Sequence, residues 1–257
     1  MSTFLFSEII FGPVSSRRLG VSLGINLLPT DYKFCTFNCV YCECGWTLKA
    51  DKKIQLPSRD EVKKELERVL QEYSENGKEI NSITFAGNGE PTIHPAFADV
   101  IDDTIELRNM WMPDANISVL SNASQLHKSK VTDALKKVDQ NILKLDAGTE
   151  KTFALINQAQ ENIKFDSIVK YLRSFDGQLI IQTLFIRGAY NGHSFDNTTE
   201  EEVQAWLNII KEIQPQSVML YPIERDTPTN QLEKVDEQTL QQIAAKVNEL
   251  NIPTEVY

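Results

Sequence analysis

The 257-residue sequence predicts an α/β fold with a parallel sheet, in the form of a partial (β/α)6 barrel. Three observations predict it. Short apolar strands alternate with amphipathic helices along the chain, there are roughly six such pairs, and Gly-rich or polar residues follow each strand. Strict alternation of units this size implies parallel strands joined by right-handed crossovers. Six pairs are too few to close an eight-stranded barrel. Periodicity alone would suit an open doubly wound sheet equally well.

The elements follow in order. A first strand is expected over 21–28. Ser58 stands at an N-cap position with Glu61 three residues on, a capping box that opens a helix running to about Tyr73 and closed off by Gly77. Strand 82–86 precedes helix 96–109, strand 116–120 precedes helix 124–138, and strand 142–146 precedes helical patterns at 150–157 and 164–175. The run 179–186 is the most β-branched strand, followed by helix 199–213. Strand 217–221, helix 236–250 and a short tail, 254–257, complete the series. No linker or repeat divides the chain, so one domain over 1–257 is expected, with its core over about 20–250.

Composition is that of a soluble globular protein, 41% hydrophobic and 24% charged. No apolar run reaches bilayer length and no secretory leader is evident, so the expected location is the cytoplasm, with no membrane partner. Net charge is -10, but residues 1–60 carry seven Lys and Arg against five Asp and Glu. The acidic remainder argues against sequence-independent binding of nucleic acid. Lys49, Lys52 and Lys53 form either a local basic rim or a solvated loop.

Three of the four cysteines lie in Cys35-Thr36-Phe37-Asn38-Cys39-Val40-Tyr41-Cys42, within a loop over 33–45. Thiolates crowded together in a chain otherwise poor in them indicate iron–sulfur or zinc rather than disulfides. A structural zinc site wants a second pair of ligands, which does not follow. Three thiolates on a [4Fe-4S] cube leave one iron open to a small molecule. Cys44 is the only nearby fourth sulfur, at a spacing unlike the others.

The spacing Cys-x3-Cys-x2-Cys, with Tyr41 before the third Cys, resembles the signature of the radical S-adenosylmethionine (SAM) superfamily. The resemblance implies a partial-barrel core and one [4Fe-4S] cluster held by Cys35, Cys39 and Cys42, with Cys44 outside it. It also implies SAM chelated by the open iron and cleaved reductively to a 5′-deoxyadenosyl radical. A one-electron donor of flavodoxin or ferredoxin type is implied as partner. The leader over 11–25, with Lys144-Leu-Asp-Ala-Gly148 and the stretch 181–188, looks like a subgroup related to the wybutosine tRNA-modifying enzymes.

The same resemblance suggests site residues. Gly87-Asn88-Gly89-Glu90 resembles the Gly-Gly-Glu element that binds the amino group of SAM, with Asn88 in place of a glycine. Asn122, in a Ser121-Asn122 pair, is expected near the ligand or as a helix cap. Period-two alternation sets Ile142, Lys144 and Asp146 on one strand face. Lys144 is the candidate for the SAM ribose or carboxylate, and Asp146 is expected to pair with Lys144 or face substrate. Arg187 is a candidate for the SAM carboxylate or for surface exposure, and Tyr41 and Tyr221 are candidates for flanking adenine. Arg17 and Arg18 are expected to brace the cluster loop, meet an anionic substrate, or lie exposed. His94 reads as a local hydrogen bonder. Three substrate classes stay open: tRNA or nucleotide, a small molecule, or a glycyl-radical partner protein.

Overall fold

The computed structural model describes residues 4–47 and 54–257. Lys49, Lys52 and Lys53 lie outside the described residues. Strands β1 (Ile10–Ser16) and β2 (Gly20–Ile25) form an antiparallel hairpin. Next come α1 (Arg59–Glu75), β3 (Ser82–Phe85), a 3-10 turn (Pro91–Ile93), α2 (Phe97–Trp111) and β4 (Asn116–Ser121). The chain continues through α3 (Ser129–Leu135), β5 (Gln140–Lys144), α4 (Glu150–Asn157), α5 (Phe165–Arg173) and β6 (Ile180–Leu184). It ends with β7 (Ile186–Tyr190), β8 (His193–Asp196), α6 (Glu200–Ile213), β9 (Ser217–Tyr221), β10 (Leu232–Lys234), α7 (Glu237–Asn248) and β11 (Thr254–Val256).

The main sheet has the order β1-β2-β3-β4-β5-β6-β9-β11, parallel from β2 onward. This order decides between the two architectures that periodicity left open. Every crossover steps in the same direction, so right-handed connections place every helix on one face. A doubly wound sheet would reverse direction at a switch point. The fold is therefore the expected partial barrel, with six strand–helix units between an antiparallel β1 and a short β11.

Alternation sorts the two faces. Leu23, Ile25, Ile83, Phe85, Ile117, Val119, Leu143, Ile181, Val218 and Leu220 belong to the large core shared with the helices. The concave face is polar at its β2–β5 side, where a chain of short bonds runs from Ser22 through Thr84, Ser82 and Ser118 to Gln140. Farther along, it holds a small cluster of Ile142, Ile180 and Met219, against which Leu19 packs. Leu19 belongs to the β1–β2 turn, so the hairpin tip reaches across the concave face. Arg18 there lies over the Tyr221 ring, 4.7 Å from its centroid, and Arg17 pairs with Glu224 at 3.6 Å. The tip thus bridges the open side of the half-barrel.

Helix ends follow local chemistry. The Ser58–Glu61 capping box is present in full, and Val62, Leu66, Val69, Leu70 and Tyr73 form the buried face of α1. Thr149, Thr199 and Asp236 cap α4, α6 and α7.

Some expectations need correction. The helix expected over 124–138 begins only at Ser129, because residues 124–128 are used in turns. The tail 254–257 supplies strand β11, and β1 was not anticipated. The strand expected over 179–186 ends at Leu184, and the chain then enters a second sheet, β10-β7-β8. The buried Asn197 side chain sits at that break: it accepts from Ile186 N and donates to the carbonyls of Leu184 and Asp146. No helix among the described residues is long and apolar enough to cross a membrane.

Candidate functional site

The carboxyl ends of the strands open into a cavity of about 460 Å³. Its wall includes Cys35, Cys39, Tyr41, Cys42, Cys44, Gly87, Gly89, Glu90, Asn122 and Lys144. Tyr221 lines it too, whereas Arg187, Asp146 and Asn88 do not.

The cysteine loop is attached on two sides by backbone bonds. Toward β3, Phe34 N donates to Asn88 O at 2.8 Å and Glu90 N to Phe34 O at 3.3 Å. Toward α4, Val40 N donates to Ile156 O at 2.9 Å, Asn38 N to Asn157 O at 3.1 Å, and Gln160 N to Thr36 O at 3.0 Å. The loop is therefore shaped by the barrel itself.

Donors approach the sulfurs directly. Asn122 Nδ2 reaches Cys35 Sγ at 3.5 Å, and Asn157 Nδ2 reaches Cys39 Sγ at the same distance. Lys33, only 3% exposed, donates to Gly45 O at 2.9 Å. Burial pulls its ammonium down, but Cys42, Cys35 and Cys39 outweigh burial and the net shift is upward. Burial pushes the Cys35 thiol up to about 12 and raises Cys39. Cys42 differs: the Cys44 thiol hydrogen-bonds to it and, with Lys33, overcomes burial and lowers it, while the same bond raises Cys44. Cys44 Sγ also contacts Gly87 O at 3.6 Å.

These residues fit an iron–sulfur group. Cys35, Cys39 and Cys42 face one cavity, with Cys44 on the same wall, beside a buried cation and two amide donors, the environment that stabilises sulfur-borne negative charge. Among the described residues, no three His, Cys, Asp or Glu side chains converge on a single-ion site. A cubane, whose irons bind separate sulfurs, requires no such convergence.

Glu90 is buried, and its carboxylate is engaged by the chain. Oε1 accepts from Thr92 N at 3.1 Å, from Thr92 Oγ1 and from Ser121 Oγ at 2.8 Å; Oε2 accepts from Asn122 N at 2.6 Å. Burial raises its pKa against the lowering effect of these bonds. Glu90 thereby ties the β3 loop to the end of β4. Asn122 caps no helix: its side chain accepts from Ser124 N and donates to Thr36 Oγ1 at 3.0 Å, linking β4 to the cysteine loop.

Asn88, the departure from a glycine triplet, has a structural task. Its side chain accepts from Phe6 N and donates to Phe6 O and Pro29 O. Gly89 on the next position admits no side chain, because a Cβ would lie 1.9 Å from Phe34 O, at φ +143°. Gly89→Ala is expected to cost at least about 2 kcal/mol and to loosen the cysteine loop. Gly77→Ala, at φ +63° in open space, is the control at about 1 kcal/mol. Urea unfolding of both variants checks the difference, and equal costs would show that the close approach at Gly89 is unimportant.

Lys144 and Asp146 do pair, at 3.3 Å, and Tyr41 completes the group: its hydroxyl donates to Asp146 and accepts from Lys144 Nζ at 2.6 Å. Burial and then Asp146 raise the Tyr41 pKa. For Lys144, burial pulls the ammonium down, but Asp146, Tyr221 and Cys39 together outweigh it and the shift is upward. Arg187 does not line the cavity. It lies on β7, bonded to Thr198 and Asp196 at 2.9 and 3.2 Å, away from the cavity wall. The break after β6 moved it there. His94 is the expected local bonder, contacting Pro57 O at 2.8 Å and accepting from Ala96 N. Lys33 and Asn157 were not anticipated, since single polar residues in a loop and at a helix end carry no periodic signal.

A family model described as the Radical SAM superfamily matches residues 30–189. A Brachyspira hyodysenteriae protein named GTPase Obg is 32% identical over 98% of this chain, which spans only 35% of that protein. A UPF0026 protein of Synechocystis is 29% identical, covering 93% of this chain and 92% of its own length. Among solved structures, a radical SAM methyltransferase from Sphaerobacter thermophilus superposes with a TM-score of 0.67 at 13% identity, over 92% of this chain and 65% of that one. At that identity the likeness concerns the fold.

Proposed function

The chain belongs to the radical SAM superfamily, enzymes that use a [4Fe-4S] cluster, SAM and a one-electron reductant, and from that premise we propose that it removes a hydrogen atom from a substrate held on the concave face of its sheet. The observation that supports this most is the placement of three thiols, Lys33 and the Gly87–Glu90 turn around one cavity. When bound, the cluster supplies the electron that splits SAM into methionine and the 5′-deoxyadenosyl radical that takes the hydrogen.

In this reading Cys35, Cys39 and Cys42 hold the cluster. Lys33, Asn122 and Asn157 offset the charge on the thiolates. The backbone of Gly87 and Gly89, beside the Glu90 anion, receives the SAM ammonium. Lys144, held by Asp146, faces the ribose or carboxylate, and Tyr41 and Tyr221 flank the adenine. The apolar side chains of Leu19, Leu120 and Leu184 on the cavity wall limit water near the reacting atoms. A flavodoxin or ferredoxin is the proposed donor. The subgroup resemblance makes tRNA or a nucleotide the favoured substrate.

Anaerobic reconstitution is expected to yield about four irons and four sulfides per chain, with an electron resonance signal that changes on adding SAM. Reduced protein with SAM alone is expected to release 5′-deoxyadenosine slowly. A stoichiometric zinc site without cluster iron overturns the reading.

A further inference from the structure

We propose that the cavity contains a second, anion-binding subsite in which Arg18 and Gln182 grip a carboxylate or phosphate group of the substrate. The proposal rests on the radical SAM reading for the identity of the neighbouring ligand, but its evidence is separate. Both side chains line the cavity, and each has a buried nitrogen, Arg18 Nη1 and Gln182 Nε2, without a hydrogen-bond partner. Gln182 is 6% exposed. A buried donor with no acceptor carries its full desolvation cost, and two on one cavity wall call for an acceptor supplied from outside the chain.

Their positions place them together. Gln182 lies on the inner face of β6, opposite Met219 of β9, while Leu184 on the same face is opposite Tyr221. Arg18 descends from the hairpin tip onto the Tyr221 ring. The ring attracts the cation but accepts none of its in-plane N–H bonds. A guanidinium fork with a neighbouring amide suits a planar carboxylate or a phosphate.

The other cations among the described residues of the cavity wall are engaged. Arg17 and Lys234 pair with Glu224, Arg225 pairs with Glu43 at 2.7 Å, Lys144 pairs with Asp146, and Lys33 bonds Gly45 O. Charge recognition among the described lining residues is thus concentrated at one interior point, which fits one phosphate or carboxylate group of the substrate. This subsite lies on the β6–β9 wall. Cys35 and Glu90, by contrast, lie at the loops that follow β2 and β3.

The test uses reconstituted holoenzyme saturated with SAM and titrated calorimetrically, at constant ionic strength, with inorganic phosphate in one arm and acetate in the other. At least one anion is expected to bind saturably, and the stronger arm identifies phosphate or carboxylate as the group recognised. Arg18→Gln is expected to weaken that binding about tenfold or more, and Gln182→Met several-fold. SAM affinity is expected to fall much less than anion affinity in both variants, because Arg18 and Gln182 reach SAM only through their neighbours Tyr221 and Lys144. Circular dichroism verifies that each variant is folded. If Arg18→Gln misfolds, Gln182→Met carries the test. Absence of saturable anion binding, or equal binding in wild type and variants, overturns the proposal. So does a large loss of SAM affinity in a folded variant, which would assign the donors to the SAM carboxylate. Iron content and 5′-deoxyadenosine release in the same wild-type preparation report separately on the radical SAM reading.

Discussion

Alanine at Cys35, Cys39 or Cys42, one at a time, is expected to reduce bound iron from about four per chain to near zero after anaerobic reconstitution, whereas Cys44→Ala is expected to retain most of it. The asymmetry comes from the environments. The three loop thiols face the cavity with Asn122, Asn157 and Lys33 disposed toward their sulfurs. Cys44 is on the cavity wall as well, but its contacts are with Gly87 O and with Cys42. A cube that loses one of three protein ligands has two irons without thiolate and is labile. The fold is expected to survive each substitution, because the loop is held by backbone bonds to Asn88, Ile156 and Asn157. Iron and sulfide assays with visible absorption measure the loss, and circular dichroism measures the fold. Equal iron loss in Cys44→Ala would mean that four thiolates close the cube and no iron is open.

Most of the barrel was readable from the sequence. Strands such as Ser82–Phe85 and Ile180–Leu184 are short and fully buried, and α1 has both a capping box and a continuous apolar stripe. Local chemistry and global fold agree in those segments. Strand β1 was missed because Pro13 interrupts it and most of its residues are exposed, so it lacks both strand propensity and apolar alternation. The turn out of β6 was missed for the opposite reason. The run from Leu179 to Ile186 is apolar except for Gln182 and Thr183 and holds no turn residue, and the residue that ends the strand, Asn197, is eleven positions beyond Ile186. Arg187 lies off the cavity wall as a consequence. At the site, Tyr41, Lys144 and Asp146 were each singled out, but their meeting was not legible, since Tyr41 and Asp146 are separated by 105 residues. Nor does any local pattern show that the Glu90 carboxylate is already occupied.

That meeting of Tyr41, Lys144 and Asp146 has the largest expected effect on stability. The Asp146 side chain is 0% exposed and accepts from Tyr41 OH, Lys144 Nζ, Asn157 Nδ2 at 2.7 Å and Leu184 N at 3.0 Å. Asp146→Ala leaves the Lys144 ammonium, 18% exposed, without its counter-ion and strands three further donors. Removing one partner of a buried pair costs about 3–5 kcal/mol, a large share of the roughly 5–15 kcal/mol that stabilises a folded domain. Lys144→Met is expected to cost less, about 1–3 kcal/mol, because three neutral donors still serve the carboxylate. The double variant is expected to cost less than the sum of the two, since it leaves neither charge unpaired. Because the folded-state pKa of Lys144 is raised above 10.5, its contribution is complete below that pH and is lost only as pH rises through the folded value. Urea unfolding at neutral pH therefore reads the charged pair in full. Strict additivity in the cycle would show that the ion pair is not what holds these residues. A second readout follows from Tyr41, which lies between Cys39 and Cys42: with Asp146 gone its hydroxyl loses its acceptor, and the cysteine loop is expected to hold reconstituted iron less tightly than in Lys144→Met, where that bond remains.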